Sequence, residues 1–343
     1  MNPITLSTRL STRLSLLALV LAALLPLVLP KFLVLQLGVA LAFAIAILGL
    51  NLLLGFAGQV CLAQGAFFAC GAYTSAILVT RFGVDPLLTL PLAAAVTACM
   101  GVAIGLPALR LGGLQLAILT FGIAVITPQL ILKFDGLTHG VTGISFEPPR
   151  PPGWLPVGAD TWLYLIGLAA MVICVLVMQR LLAGDTGRAL RALRDDPLIA
   201  RSLGVNLTRV RLSAFAVSSA FAGLGGGVYA LLNAYVSPQS FLAGRSIEIL
   251  IGAIVGGITS IGGAFLGALF VVFVPEWTAD LSPALGGLIY GACLIAMMLL
   301  ARDGLAGLCL QMLSALKSRQ SRIRSPNRTA APRPAAPALT KSE

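Results

Sequence analysis

Histidine, cysteine, lysine and the carboxylates do most of the chemistry in proteins, and here they are sparse and scattered. The single histidine, His139, lies in GLTHGVTGIS, a stretch rich in glycine and threonine. It has no partner histidine or cysteine, so a solvated loop residue fits better than a metal ligand or proton relay. Cys61, Cys70, Cys99, Cys174, Cys293 and Cys309 fall in or beside apolar runs and never as a CxxC pair. They read as small packing residues. No lysine follows a glycine, so no G-x4-G-K-[ST] loop cradles a phosphate. Any ATP hydrolysis that drives this protein comes from another chain, and no cofactor is expected in this one. Glu248 stands three residues after Arg245 beside an apolar run. An ion pair near the outer membrane face is the structural reading, and a proton-coupling carboxylate is its functional rival. Gln59, Gln64 and Thr120 are neutral polar residues in or near apolar runs. They could line a path for a zwitterion, or tie helices together at about 1 kcal/mol each. Gly256 and Gly257 interrupt an apolar run and join them as path candidates.

One segment is different. Residues 187–204 read GRALRALRDDPLIARSLG, with four arginines and two aspartates in an otherwise oily chain. Arg188, Arg191 and Arg194 recur at a spacing of three, which predicts a short helix with a basic face. Asp195-Asp196-Pro197 stops it, and Asp196 and Pro197 suit the N-cap and first position of a second short helix. That helix runs over Leu198–Leu203, with Gly204 as its stop, and Asn206 or Thr208 caps the next span. A folded, capped loop of this kind docks on something. Anionic headgroups would suit the basic face; the apolar Leu198, Ile199 and Leu203 favour a protein groove.

The elements around this loop follow from composition. Of 343 residues, 58% are hydrophobic and 10% charged, where soluble domains carry roughly a quarter charged. Apolar runs occupy 15–30, 32–54, 66–80, 87–106, 111–132, 161–179, 211–232, 246–274 and 284–301, and about 20 such residues cross a bilayer core. The fold class is therefore an all-α polytopic membrane protein with about 8–10 transmembrane helices, some broken by glycine. The first run resembles a signal peptide in its flanking Arg9 and Arg13, but no small-x-small site follows, and it is expected to stay as a span. Residues 1–316 form one membrane domain. Residues 317–343, basic and rich in Pro, Ala and Ser, form a disordered tail.

The net charge of +11 argues here about orientation and not about nucleic acid. With the N-terminus cytoplasmic, 18 basic residues lie inside and five outside, as the positive-inside rule requires. This holds only if 246–274 crosses twice or re-enters, and it makes ten crossings with both termini cytoplasmic. Loop 275–283, with Glu276 and Asp280 and no base, then lies outside, as does 133–160, while 180–210 lies inside. Trp154 and Trp162 suit the water–lipid boundary. A weak internal echo, G-x6-G-A-F, links Gly58…Phe67 with Gly256…Phe265. Small-xxx-small pairs at Gly101/Gly105, Gly223/Gly227, Gly252/Gly256 and Gly263/Gly267 predict close helix crossings.

From about residue 40 to 300 the chain resembles the LivM-type permease subunits of bacterial ABC importers for branched-chain amino acids. The blocks that carry this are NLLLGFAGQVCLAQGAFFACGAYTSAIL (51–78), LRLGGLQLAILTFG (109–122), GLTHGVTGIS (136–145), TGRALRALRDDPLIARSLGVNLTRVRLSAFAVSSAFAGLGGGVYA (186–230) and SPQSFLAGRSIEILIGAIVGGITSIGGAFLGA (237–268). The resemblance implies an inner-membrane transport subunit without enzymatic activity, paired with a second permease. ABC ATPase subunits bind beneath it, and a periplasmic substrate-binding protein docks on outer loops including 133–160. It also makes 187–204 the coupling loop to the ATPase, with Arg191, Arg194, Asp195, Asp196, Ala200 and Gly204 as its candidate residues. The loop keeps the last alanine and the glycine of the EAA pattern (Ala200, Gly204), but Leu198 and Ile199 stand where Glu and Ala would be. Cys61-Leu62-Ala63-Gln64 replaces the family's Ser-Leu-Gly-His, and His139 replaces a glycine. Urea, short amides or other amino acids are alternative substrates within the family. A proton-coupled carrier or channel is the reading from another class.

Overall fold

A computed structural model describes residues 22, 25–27, 29–108, 111, 113–153, 158–281, 285–300 and 304–308. Most of the expected first span 15–30, the tail 317–343, Trp154 and Cys309 lie outside the described residues.

Lys31–Asn51 (α1) carries no charge after its first residue. In lipid every backbone N–H and C=O needs a partner, and a helix supplies these within one segment. It continues into a π-helical turn, Leu52–Phe56. An irregular connection, 57–63, leads to Gln64–Phe82 (α2), which Gly83 ends in a left-handed conformation at φ +61°. Pro86–Ala108 (α3) and Leu114–Lys133 (α4) follow. The next connection holds a single turn, Asp135–Thr138 (α5), and a two-residue strand, Ile144–Ser145 (β1). Its glycines and prolines keep it from becoming a long helix. His139 sits at φ +58°, a conformation in which histidine is enriched among non-glycine residues. That is the physical reason a glycine would serve there.

Ala159–Ala183 (α6) leads into the charged segment, Asp185–Asp195 (α7) and Pro197–Ser202 (α8). Leu207–Asn233 (α9) then returns through the bundle, and Tyr235–Val236 (β2) pairs antiparallel with β1. Gly244–Gly256 (α10), Ile261–Leu281 (α11) and Gly286–Leu300 (α12) follow, and residues 304–308 add a last helical turn. Seven of these helices, α1–α4, α6, α9 and α11, are long and apolar enough to cross a membrane.

Helix α9 is the hub, packed on α1, α2 and α3. Lipid offers no hydrophobic drive for helices to associate, so close van der Waals contact has to supply it. The glycine pairs do this. Gly101 faces Ser219, Gly223 faces Thr97 and Gly71, and Gly227 meets Ser75. In the α10–α11 hairpin Gly256 lies on Gly263, and Gly267 on Gly252. Helix α4 stands apart, with weak contacts to α2.

Two expectations are corrected and one is refined. The run 246–274 is broken at Gly256-Gly257 into α10 and α11; α10 has 13 residues, about 20 Å of helix against a core of about 30 Å, whereas α11 is long and apolar enough to cross. Residues 275–281 are helical and not a loop, since α11 continues along α1 and Gln36 donates to the Glu276 carboxylate. The Arg245–Glu248 ion pair exists at 2.8 Å, but not at the outer face. The Arg245 guanidinium lies 5.3 Å from the ring centroid of Phe43, half-way along α1, and 5.9 Å from that of Tyr229. Helix α10 carries it there, and the two aromatic faces help to hold the cation.

Candidate functional site

The charged loop is built as its sequence suggests, and its side chains divide into two sets. Helix α7 buries Gly187, Leu190 and Leu193 against the membrane bundle. The Asp196 side chain accepts from the N–H groups of Leu198, at 2.7 Å, and Ile199, at 3.2 Å, and Pro197 occupies the first helical position of α8. Gly204 takes φ +83° and its N–H donates to the Arg201 carbonyl. Asn206 Oδ1 accepts from the Arg209 N–H at 3.1 Å, capping α9. Asp196, Ala200 and Gly204 thus shape the loop; Ala200 is only 1% exposed and anchors α8 inward.

Arg191 and Arg194 remain exposed, yet each reaches a backbone carbonyl of the membrane bundle. Arg191 Nη2 donates to the Leu182 carbonyl at 2.8 Å, and Arg194 Nη1 to the Gly55 carbonyl at 2.5 Å. Asp195 is exposed. The loop presents outward an apolar set, Leu198 (79% exposed), Ile199 (58%) and Leu203 (75%), among charged neighbours that include Arg188 and Arg201. Gly55 and Gly58, the receiving side of Arg194, were not among the expected site residues; Gly58 opens the G-x6-G-A-F echo, and Gly55 lies outside it.

The second group of candidates gathers at the break between α1 and α2. Gln64 is fully buried and its Nε2 donates to Ser218 Oγ at 2.6 Å. The Leu62 N–H donates to Thr120 Oγ1 at 3.0 Å, and Gly65 N–H to Ser246 Oγ at 2.9 Å. Among the described residues, Gln59 Oε1, Gln64 Oε1 and Asn51 Oδ1 are buried without a partner. Three carbonyl acceptors in an apolar interior are a chemistry suited to an ammonium group. In the same connection burial pushes the Cys61 thiol up to about 12, which keeps it unreactive. Ser218 and Ser246 were not among the expected site residues, because serine inside an apolar helix carries no distinguishing pattern. Gly256 and Gly257 sit at the hairpin tip: the first packs on Gly263 and the second turns the chain at φ +108°. The tip joins the break through Asn51 Nδ2, which donates to the Ser260 carbonyl at 3.3 Å. An apolar crevice of about 280 Å³ separates α2 from α4, with Cys70, Tyr73, Thr127 and Leu130 in its walls.

Residues 32–298 match the family described as branched-chain amino acid transport system / permease component. The permease protein LivM of the high-affinity branched-chain amino acid transport system of Salmonella typhimurium is 36% identical over 298 residues, covering 80% of this chain and 70% of that one. Its Escherichia coli counterpart is 35% identical over 281 residues, covering 75% of this chain and 66% of the other. A probable branched-chain amino acid transport permease protein LivH of Methanocaldococcus jannaschii is 29% identical, with 75% and 85% covered. No solved structure matches the chain. With more than half of its length inside the family's pattern, this chain belongs to the branched-chain amino acid transport permeases.

Proposed function

We propose that this chain is one permease subunit of an ATP-driven importer that brings branched-chain amino acids across the bacterial inner membrane. The observation that carries this is the capped α7–α8 loop, which anchors Ala200 inward and holds Leu198, Ile199 and Leu203 out. Such a surface fits a groove on a cytoplasmic ATPase. A second, related permease completes the path, and a periplasmic binding protein delivers substrate to the outer loops, including 133–160. The charge asymmetry supports cytoplasmic termini, and the importer needs no cofactor in this chain. The buried acceptors of Gln59, Gln64 and Asn51, with Thr120 beside them, favour a zwitterion on the path. The relatives' names, as permeases of branched-chain amino acid transport, favour leucine, isoleucine and valine as that zwitterion.

The test is a mild-detergent purification of the tagged chain with mass spectrometry of what accompanies it. A second permease and ATPase subunits are expected. A chain that emerges alone, and transports leucine after reconstitution without ATP, would refute the importer reading in favour of a carrier or channel.

A further inference from the structure

The two breaks that share the G-x6-G-A-F pattern meet in the fold, and the charged loop is fastened to their meeting point. The first break begins with the π-helical turn Leu52–Phe56, where the Ala57 N–H reaches back to the Leu52 carbonyl at 3.1 Å. Gly55 lies in this turn. Its carbonyl accepts from Arg194 Nη1, a cation held at a helix C-terminus where it is electrostatically favoured. Gly58, at φ +66°, lies against the same arginine: a Cβ there would be 3.2 Å from Arg194 Cγ. On its other side Gly55 is pressed to the carbonyl of Ile258, at the tip of the α10–α11 hairpin, closely enough that a Cβ would overlap it. Asn51 reaches that tip as well, through Ser260. Between Gly55 and Ile258 backbone meets backbone, so no flexible side chain absorbs a displacement at that step.

We infer that Arg194 is a positioning residue that transmits movement of the α7–α8 loop to the π turn and onward to the hairpin tip. The inference rests on the reading of that loop as the ATPase-docked element, and it gives Arg194 a task on the bundle side of that loop. The tip would then move when the loop moves, although no loop residue outside Arg194 needs to touch it.

The test uses the whole importer in lipid nanodiscs, with labelled leucine presented by its binding protein. Arg194→Ala should keep its ATPase subunits and their hydrolysis while moving about tenfold less leucine per ATP. Arg194→Lys, which keeps a donor and the charge, should restore part of that ratio. A wild-type ratio in Arg194→Ala overturns the link. Failure of the docking reading shows separately, as a Leu198→Glu chain that retains its ATPase subunits. Should Arg194→Ala not assemble, spin labels at Leu198 and Thr259 in an otherwise active, cysteine-free chain decide the matter. A rigid link keeps their separation constant between nucleotide-free and ATP-bound states; a nucleotide-dependent change overturns it.

Discussion

At the scale of the residue, the loop depends on a few backbone positions. Asp196 supplies an N-cap to a helix of only six residues, too short to hold itself together in water. Asp196→Ala removes two accepted hydrogen bonds and should cost about 1 kcal/mol of local stability. The expected result is reduced leucine uptake with unchanged membrane insertion, measured by uptake assay and quantitative immunoblot. Gly204→Pro should be harsher, because proline fixes φ near −65° where the chain needs +83° and deletes the N–H that Arg201 accepts. Uptake should fall to background, and normal uptake would remove the loop from the mechanism. Glu248 answers to a different logic. It is tied to Arg245, whose Nε also donates to the Ser240 carbonyl, so it serves to hold the start of α10. Glu248→Gln should retain most transport, with the pH profile of uptake unchanged. Complete loss in a well-inserted protein would restore the proton-coupling rival.

At the scale of the element, the α10–α11 hairpin is held by crossings that exclude a side chain. Gly267 is pressed onto the Gly252 carbonyl, and Gly256 onto Gly263. Gly267→Leu must separate the two helices, since backbone cannot yield as a side-chain tip can. The expected outcome is a clear drop in thermal midpoint by fluorescence-detected size-exclusion chromatography. Gly122, which has open space around it, gives the contrast: Gly122→Leu on the same peripheral α4 should leave the midpoint near wild type.

At the scale of the molecule, the importer reading makes transport conditional on partners outside the chain. Reconstituted complexes lacking the ATPase subunits should show no ATP-dependent leucine uptake, and adding those subunits should restore it. Orientation can be tested independently with paired reporter fusions at the two termini. Both should report the cytoplasm, as 18 basic residues inside and five outside demand. A periplasmic report from either end would refute the topology and with it the position of the α7–α8 loop.

The sequence by itself determined the membrane class, because an apolar run long enough to cross a bilayer has little choice but helix. It also determined the caps of α7, α8 and α9, since Asp196, Pro197, Gly204 and Asn206 act through bonds to their immediate neighbours. Local chemistry is legible wherever cause and effect lie within a few residues. The tertiary structure alone decided three things. It paired Arg191 and Arg194 with bundle carbonyls, it brought Arg245 beside the middle of α1, and it set the glycine breaks of 55–58 and 256–260 against each other. Each depends on partners far apart in the chain, Arg194 and Gly55 being 139 residues apart. No periodicity or composition records which distant carbonyl a guanidinium will find; only packing the helices selects it.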